Sequence, residues 1–477
     1  MKTGFLLAAL FYFALLLAAG LLFPKKIRDL DGFFLASRRL GAPRIAFSLC
    51  ASWIGAASLL VSTDQAFRDG VSAYWVIGLP AVATLLLLLP LAGAVRGLGG
   101  STISDAVEAR YGAAARPATT FLIVWYMTVL AASQMVAAGN FLKTFLGTSY
   151  LASLALAAGV VLVYLAAGGF LSVVRTQTLQ FFLLAAGVLA LTVSLWRLSS
   201  WRDVVTLAGR QGRTGYFDFL AHGDRNVLIA LSFVLAWTIS PIAWQRIQAA
   251  GTAVAARRGV AGAAVLLGLF YAGIVVSGML FLPLFPGRNS ANPLIADYIG
   301  LKAGALAGGL VFVTVLAAIL STMAAAVNTG AFSLARDVLH YGRRADGGGG
   351  SVAAGRAATL LVGAAAFLVA TRFQDILKTL GLASAIMAEG LFIPGLAAVL
   401  MKKRAPLAGL LSLFGGGGYA LAGFLAETGL LPLPILPWPR SLPLGLAIGA
   451  GGFVIGLILE GLRRRPAGRS GLSGDKP

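Results

Sequence analysis

The chain has 477 residues and a mass of 49.2 kDa; 58% of its residues are hydrophobic, only 12% are charged, and its mean hydropathy is +0.87. A water-soluble protein carries roughly twice that charged fraction, so a soluble globular enzyme is excluded. The 38 basic and 17 acidic residues give a net charge of +21. Most of the basic residues lie in short segments between apolar runs, where membrane topology explains them better than nucleic-acid binding does.

Residues that bind cofactors or catalyse reactions are scarce. The single cysteine, Cys50, excludes an intramolecular disulfide, and His222 and His340 lie far apart in predicted loops. Neither a zinc nor a haem site can be assembled from them, so no cofactor is expected. No intramembrane carboxylate pair or serine–base pair is in register, so the sequence predicts that the protein is not an enzyme.

Apolar runs long enough to cross about 30 Å of hydrocarbon as helices follow one another along the chain. The first run is longer than the apolar region of a signal peptide, and Pro24 and two lysines follow it where a cleavage site would be, so we expect a retained helix. The connection 199–226 is expected to carry a short surface helix, and 346–351 a flexible cytoplasmic linker. The thirteen predicted spans are 3–23, 42–62, 71–95, 118–145, 150–167, 178–198, 227–247, 260–284, 305–335, 357–371, 380–401, 406–425 and 442–460.

The distribution of basic residues predicts the topology. An odd number of spans places the termini on opposite sides of the membrane. With the N-terminus outside, about two thirds of the 38 Lys and Arg residues lie on the inner side. We therefore expect a multi-pass protein of the cell (inner) membrane with an external N-terminus and a cytoplasmic C-terminus.

Two of the predicted spans carry an interruption near their middle. Span 42–62 contains Gly55 among several hydroxyl-bearing residues, and span 227–247 contains Pro241. The two are five spans apart, as a five-plus-five inverted repeat requires, and transporters of that kind bind their substrate where such helices are broken. The alternative is that the glycine is a packing contact and the proline a simple kink.

Span 305–335 adds a pair of adjacent hydroxyls, Ser321 and Thr322. Neighbouring residues on a helix point about 100° apart, so the two side chains can contact one bound object. Two hydroxyls with three carbonyls of an unwound helix would suit a monovalent hard cation. The alternative is that both hydroxyls bond back to carbonyls of their own helix.

Several segments together resemble the solute:sodium symporter family over roughly residues 30–405. They occur in the family's order and at its offsets, although none is specific alone. They are 31–40 (DGFFLASRRL), 51–54 (ASWI), 66–70 (AFRDG), 101–112 (STISDAVEARYG), Gly168-Gly169, 175–177 (RTQ), Gln245-Arg246 and Ser321-Thr322.

The resemblance implies an all-α membrane protein of about thirteen helices with a leucine-transporter-type, five-plus-five core and coupled uptake by alternating access. The single transport domain would span 1–477. Its parts would be a peripheral helix (1–24), two repeats (42–198 and 227–401), two further peripheral helices (406–460) and a cytoplasmic tail (461–477).

The resemblance also implies a sodium site. Its ligands would be the carbonyls of Ala51, Ile54 and Ala318 with the hydroxyls of Ser321 and Thr322. Gln177 stands where family members usually carry Asp, and Ala57 and Ser58 stand where sugar-transporting relatives use acidic and amide groups. A sugar substrate is therefore disfavoured.

Polar and aromatic residues near the two interruptions are the substrate-binding candidates: Ser58, Gln134, Trp237, Ser240 and Trp244. The two tryptophans are seven residues apart, on one face of a continuous helix, where they form an aromatic wall or pack against neighbouring helices. Gln134 is the central amide of its span and either binds substrate or joins two helices.

Glu389 lies near or beyond the membrane midplane by its distance from Lys402. An ionisable group at that depth usually faces a cavity. It is predicted to be a proton-coupling group or a counter-ion for an amine-bearing substrate, or else a neutral acid hydrogen-bonded between helices.

The sequence thus predicts sodium-coupled symport of a small organic solute, such as an amino acid, a monocarboxylate or a vitamin-like molecule. The expected partners are that solute, sodium and membrane lipids. Gln177 and Glu389 leave a proton-coupled or uncoupled carrier as an alternative, and a symporter-like membrane sensor is another.

Overall fold

The computed structural model describes residues 2–21, 27–98, 100–288, 290, 292–339, 351–373 and 375–463. About four fifths of these residues are helical, because a chain in lipid must satisfy its backbone hydrogen bonds within each segment. The helices are α1 (Lys2–Leu21), α2 (Leu30–Leu35), α3 (Ala42–Trp53), α4 (Ser62–Asp69), α5 (Gly78–Gly97), α6 (Ile103–Tyr111), α7 (Ala115–Leu146), α8 (Tyr150–Leu198), α9 (Trp201–Arg210), α10 (Gly223–Thr238), α11 (Pro241–Gln248), α12 (Ala253–Leu280), α13 (Leu294–Leu301), α14 (Ala305–Leu334), α15 (Val352–Ala370), α16 (Ile376–Gly390), α17 (Phe392–Leu400), α18 (Pro406–Glu427) and α19 (Leu442–Arg463).

Two short π-helices adjoin these α-helices. A π-helix, Ala57–Val61, leads into α4, and a second one, Ala335–Leu339, continues α14. The surface helix expected in the 199–226 connection is α9, whose start is fixed by reciprocal hydrogen bonds between Ser200 and Asp203.

Ten helices of the described residues are long and apolar enough to cross a membrane, or eleven if the bent pair α16 and α17 is one span. The predicted count of thirteen spans is not confirmed by that number. One reason is that two predicted spans, 150–167 and 178–198, fall within the single 49-residue segment α8. At about 1.5 Å per residue, such a segment is more than twice as long as the hydrocarbon is thick.

Gly169 interrupts α8 between these two predicted spans, with φ 56° and ψ −144°. L-residues with a side chain rarely adopt this conformation. A Cβ atom there would also lie 2.4 Å from the carbonyl oxygen of Phe33 in α2. The two halves of α8 therefore change direction at a glycine rather than at a loop.

The centre of the molecule is formed by α7 and α14, which are buried along most of their length, whereas α1, α15 and α19 are largely exposed to the surroundings. α14 packs against α7 and α8, and α12 packs against α3 and α5. α18 and α19 form an antiparallel pair at the periphery that contacts α16. This arrangement surrounds the interrupted helices with continuous ones.

The start of α1 and the end of α19 lie at opposite ends of α7. Lys2 approaches Gly147, just beyond the last turn of α7. At the other end, Ala405 donates its backbone N–H to Arg110, and Glu460 near the end of α19 accepts from Leu407. The tail predicted from residue 461 begins within α19, and the rest of it, like most of the predicted linker at 346–350, lies outside the described residues.

Candidate functional site

Both predicted interruptions are present. α3 ends at Trp53, and Ile54 has φ −82° and ψ 82°, outside the helical region. α10 ends at Thr238, and the helix resumes at Pro241 as α11. Proline has no N–H to donate and disfavours a helical residue before it, so the chain unwinds at Ile239 and Ser240.

Side chains of neighbouring helices satisfy the backbone groups that the first break leaves free. Gln134 of α7 accepts a hydrogen bond from the Ala56 N–H with its Oε1 atom, at 2.9 Å. The Trp53 carbonyl accepts from Ser58 Oγ at 2.9 Å and from Tyr271 Oη of α12 at 3.2 Å. The hydroxyls of Ser58 and Tyr271 are themselves 2.7 Å apart. The break is therefore held by α7 and α12 as a built feature of the fold.

The hydroxyl pair of α14 faces this break. Ser321 Oγ lies 2.6 Å from the Ala51 carbonyl oxygen of α3 and 2.9 Å from the carbonyl oxygen of Ala318. Thr322 Oγ1 is buried and has no hydrogen-bond partner among the described residues. A Cβ atom at Gly55 would lie 3.0 Å from it, so this hydroxyl approaches the unwound turn directly.

Three of the five predicted sodium ligands meet between α3 and α14, and a fourth lies next to them on α14. Ala51, Ala318 and Ser321 are in direct contact, and Thr322 adjoins them. Ile54 is buried on the same turn, but no hydrogen bond joins its carbonyl to the hydroxyl pair in the described part of the chain. The donor set is oxygen only, as a hard cation requires, and the unpartnered Thr322 hydroxyl has a lone pair to offer.

Gln177 of α8 connects this position to a buried arginine. Its Nε2 atom donates to Ser52 Oγ and to the Ser321 carbonyl oxygen, both at 3.0 Å. Its Oε1 atom accepts from Ser48 Oγ at 2.6 Å and from Arg246 Nη2 at 3.2 Å. One amide therefore separates the guanidinium of Arg246 from the hydroxyl pair.

Arg246 is fully buried, with 0% of its surface exposed. Nε donates to Ser48 Oγ and Nη1 to the Ile242 carbonyl, both at 3.0 Å, and the guanidinium lies 5.4 Å from the centre of the Phe170 ring. Within the described ranges, no carboxylate pairs with it. Its charge is balanced only by neutral oxygens and a ring face, which support a buried cation less well than a carboxylate does.

A small chamber of about 30 Å³ lies between the two breaks. Trp53 and Trp237 stack across it with ring centres 6.0 Å apart, and Phe233 stacks behind Trp237 at 5.0 Å. The chamber has a mainly apolar wall with a few hydroxyls and one amide, and no charged side chain of the described chain lines it. The residues that line it are Ser52, Trp53, Gly55, Ala57, Ser58, Ile77, Tyr126, Leu130, Gln134, Trp237, Ser240, Ile242, Thr322 and Leu380.

Four of the five substrate-binding candidates predicted beside the interruptions line the chamber: Ser58, Gln134, Trp237 and Ser240. Trp244 does not, because the break between Trp237 and Trp244 removes the common helical face that their seven-residue spacing would give in a continuous helix. Its indole N–H instead donates to the Thr238 carbonyl at 3.1 Å.

Glu389 does not line the chamber either. It packs against α19, where a Cβ atom at Gly445 would lie 2.1 Å from its Oε2 atom. Leu380 of the same helix does line the chamber, and nine residues at about 100° each place Glu389 on the opposite face. The structure therefore does not bring Glu389 to the chamber, and its predicted roles as a proton-coupling group or as a neutral acid between helices stay predictions.

Trp53, Tyr126 and Tyr271 contribute to the site and were not singled out from the sequence. Trp53 was visible in the ASWI segment, next to the predicted break. Tyr126 contacts Trp237 and Ser240 from α7. Isolated aromatic residues in apolar helices carry no signal of which way they face, so neither tyrosine could be identified.

A much larger cavity, which we call the vestibule, lies next to the chamber and measures about 590 Å³. On three helices its lining begins one turn beyond the chamber lining: Leu60 follows Ala57, Ala137 follows Gln134, and Leu377 precedes Leu380. Asp64, Lys143 and Asp375 also line the vestibule, so its walls are polar and charged where those of the chamber are neutral.

The opposite end of α7 carries a charged cluster. Arg116, 1% exposed, forms ion pairs with Asp105 and Glu108 of α6 and with Asp337 at the end of α14. Thr102 Oγ1 also donates to Asp337 at 2.9 Å. The vestibule therefore lies toward the Lys143 end of α7, and the ion-pair cluster lies at the Arg116 end.

Interrupted membrane helices around a small neutral chamber that adjoins a wide vestibule are the architecture of a membrane transporter. Residues 33–416 match the model of the sodium:solute symporter family. The chain belongs to that family, and it is a multi-pass membrane transporter rather than an enzyme.

Curated relatives agree with this assignment. The Bacillus subtilis (strain 168) protein named uncharacterized symporter YwcA is 24% identical over 488 residues, covering 95% of this chain and 91% of that protein. The human sodium/iodide cotransporter is 31% identical over 199 residues, 40% of this chain and 30% of that protein. The sodium/pantothenate symporter of Escherichia coli (strain K12) is 28% identical over 180 residues, 35% of each.

Solved structures show the same fold. A Na+-coupled sialic acid symporter, in a substrate-bound outward-open state, superposes with a TM-score of 0.79 at 16% identity over 96% of this chain and 97% of that chain. MhsT in complex with L-phenylalanine gives a TM-score of 0.52 at 17% identity over 88% and 98%. The chain therefore has the predicted leucine-transporter-type fold.

Proposed function

We propose that this transporter carries a small organic solute into the cell together with sodium by alternating access. The solute would occupy the chamber between Trp53 and Trp237. Sodium would be held by the carbonyls of Ala51, Ile54 and Ala318 with the hydroxyls of Ser321 and Thr322. The vestibule and the N-terminus would face the outside of the cell. The opposite side of the membrane carries most of the basic residues, and an excess of Lys and Arg is typical of the cytoplasmic side.

The observation that carries the sodium proposal is the unpartnered hydroxyl of Thr322. A buried polar atom without a hydrogen-bond partner is costly to the fold, as the Thr322 hydroxyl is here. Most buried polar groups in native proteins do have a partner, so an exception calls for an explanation. Oxygens of Ser321, Ala51 and Ala318 already converge beside it. A monovalent cation bound there would give Thr322 a partner and would tie α14 to the broken α3.

The chamber favours a small solute. About 30 Å³ holds roughly two water molecules, so larger solutes require the walls to separate. α11 begins at the chamber wall beside Ser240, and the partial positive charge of a helix N-terminus favours an anionic group. Among the solutes that the sequence leaves open, we therefore place a short monocarboxylate first and an amino acid, bound by its carboxylate, second.

A second candidate is a carrier that does not depend on sodium. The observation that favours it is Arg246, whose uncompensated positive charge is one amide away from the hydroxyl pair. At that separation the positive charge of the guanidinium repels a bound sodium ion. The repulsion is stronger than it would be in water because the effective dielectric constant of a buried site is lower. Sodium binding would then be weak or absent.

Sodium binding can be tested before the solute is known. We expect purified protein in nanodiscs to melt at a higher temperature in sodium chloride than in choline chloride, because a ligand that binds only the folded state stabilises it. Ser321→Ala and Thr322→Ala should lose this difference. Ser333→Ala, a buried serine of the same helix that does not line the chamber, is the matched control and should keep it.

Transport is then measured in proteoliposomes with radiolabelled acetate, proline and pantothenate. We expect a sodium gradient to increase uptake of one of these by about tenfold or more, which corresponds to about 1.4 kcal/mol of coupling. Uptake that is equally fast without sodium would reject obligatory coupling and support the second candidate.

A further inference from the structure

Glu389 is a buried acid at the hinge of α16. It precedes Gly390, the last residue of that helix, and the chain bends by 48° between α16 and α17. Only 1% of its surface is exposed. The same helix lines the chamber with Leu380 and the vestibule with Ile376 and Leu377, so a movement at this hinge changes both cavities.

Glu389 packs against glycines of two neighbouring helices, which present backbone rather than side chains to it. A side chain at Gly445 of α19 would collide with its Oε2 atom at 2.1 Å, and one at Gly416 of α18 with its carbonyl oxygen at 2.0 Å. These glycines allow α16 to approach closely, but they supply no donor. Neither carboxyl oxygen has a hydrogen-bond partner within the described part of the chain.

The ionisable groups near Glu389 do not neutralise it. The adjoining cavity measures only about 10 Å³, and its titratable lining residues other than Glu389 are Tyr419 and Glu427 of α18. The carboxylate of Glu427 forms an ion pair with Lys378 Nζ at 2.7 Å and accepts a hydrogen bond from the backbone N–H of Trp438 at 2.9 Å. α7, α10 and α19 contribute no titratable side chain to this lining.

An ionised carboxylate without a donor or a counter-ion is unfavourable in a membrane interior, so the packed arrangement requires the neutral acid. The neutral acid dissociates to a carboxylate and a proton, and the proton must reach water. The small cavity has room for about one water molecule. Release of the proton therefore requires that α16 separate from α18 and α19.

We propose that Glu389 is a proton-binding site at the α16 hinge, separate from the sodium position, and that it binds a proton when α16 is packed and releases it when the hinge opens. Proton binding itself stands on the geometry of α16, α18 and α19. Its consequence for transport, a pH-dependent opening of the chamber, rests on the proposed function.

The hinge movement is measured as a distance between two spin labels in nanodiscs. Exposed positions suited to labelling are Leu400 at the end of α17 and Ile458 on α19. The chain has one native cysteine, Cys50, which is buried, so introduced cysteines are labelled selectively. We expect the distance distribution to shift between pH 5 and pH 9, with the packed distance favoured at low pH.

Glu389→Gln keeps the shape of the neutral acid and cannot lose a proton. We expect this variant to show the low-pH distance at every pH and to lose the pH dependence of uptake. Glu427→Gln, from the same cavity, is the matched control and should keep the pH-dependent shift.

Two results would overturn the proton site: distances in the parent protein that do not change with pH, or a shift in Glu389→Gln equal to that of the parent. A shift that disappears in Glu389→Gln while no variant transports any solute would support the proton site and reject the proposed function instead.

Discussion

Two arginines are buried almost completely in this transporter, and they are stabilised in opposite ways. Arg116, near the start of α7, pairs with the three carboxylates of Asp105, Glu108 and Asp337. Arg246, next to the hydroxyl pair, has only neutral oxygen acceptors and the Phe170 ring around it in the described residues.

The difference separates a structural charge from a functional one. The carboxylates around Arg116 belong to α6 and to the end of α14, so the cluster joins three elements. Among the residues that the structure describes, Arg246 joins no carboxylate, and its contacts lead through Gln177 to the position proposed for sodium. A buried charge without a counter-charge is costly to the fold, so we expect it to be retained for what it does to the ion pathway.

The largest effect is expected at Arg116. Arg116→Gln leaves the buried carboxylate of Asp337 without a counter-charge, and breaking a buried pair in this way costs about 3–5 kcal/mol. Arg246→Gln leaves no charge unpaired and should lower the melting temperature far less. Thermal melting of both variants in detergent tests the contrast. Equal losses would show that Arg246 also has a mainly structural role.

A carboxylate at position 177 should strengthen sodium binding. Gln177→Glu is isosteric and places a negative charge beside Arg246. The oxygen that replaces Nε2 no longer donates to the Ser321 carbonyl, which adds to the attraction for a cation there. We expect the sodium concentration for half-maximal stabilisation to fall on the order of tenfold.

The control for this change is Gln180→Glu. Gln180 is buried on the next turn of α8 and bonds Tyr12 of α1 rather than Arg246. We expect Gln180→Glu to lower the stability of the protein without changing the sodium concentration for half-maximal stabilisation. A similar gain in both variants would mean that the effect is not mediated by Arg246.

The smallest effect is expected at an exposed pair. Arg225 lies 2.6 Å from Asp69, and its side chain is 45% exposed. Exposed pairs contribute about 0.2–1 kcal/mol, so Arg225→Gln should change the melting temperature slightly or not at all. A loss as large as that of Arg116→Gln would contradict the ranking of these three arginines by burial and pairing.

The parts of the site that depend on local chemistry were predictable. Proline at 241 and glycine at 55 indicated where the helices break, and the adjacent hydroxyls of Ser321 and Thr322 indicated which helix faces the first break. Backbone rules act within a few residues, so a sequence shows them directly.

The parts that depend on the rotation of apolar helices were not predictable. Where nearly all side chains of a helix are apolar, no polar face indicates its orientation, so the sequence could not show that Glu389 faces α19. That Arg246 has no carboxylate partner among the described residues depends on tertiary contacts, which a sequence does not show. The two predicted spans within α8 are likewise joined because Gly169 turns the chain without a loop.

The stacked indoles of Trp53 and Trp237 give the molecule an intrinsic optical reporter. Indole fluorescence depends on the polarity around the ring and on the distance to neighbouring rings, and the two ring centres are only 6.0 Å apart across the chamber. A solute bound between them, as we propose, would change that separation. Occupancy of the proposed site would thereby be converted into a change of emitted light.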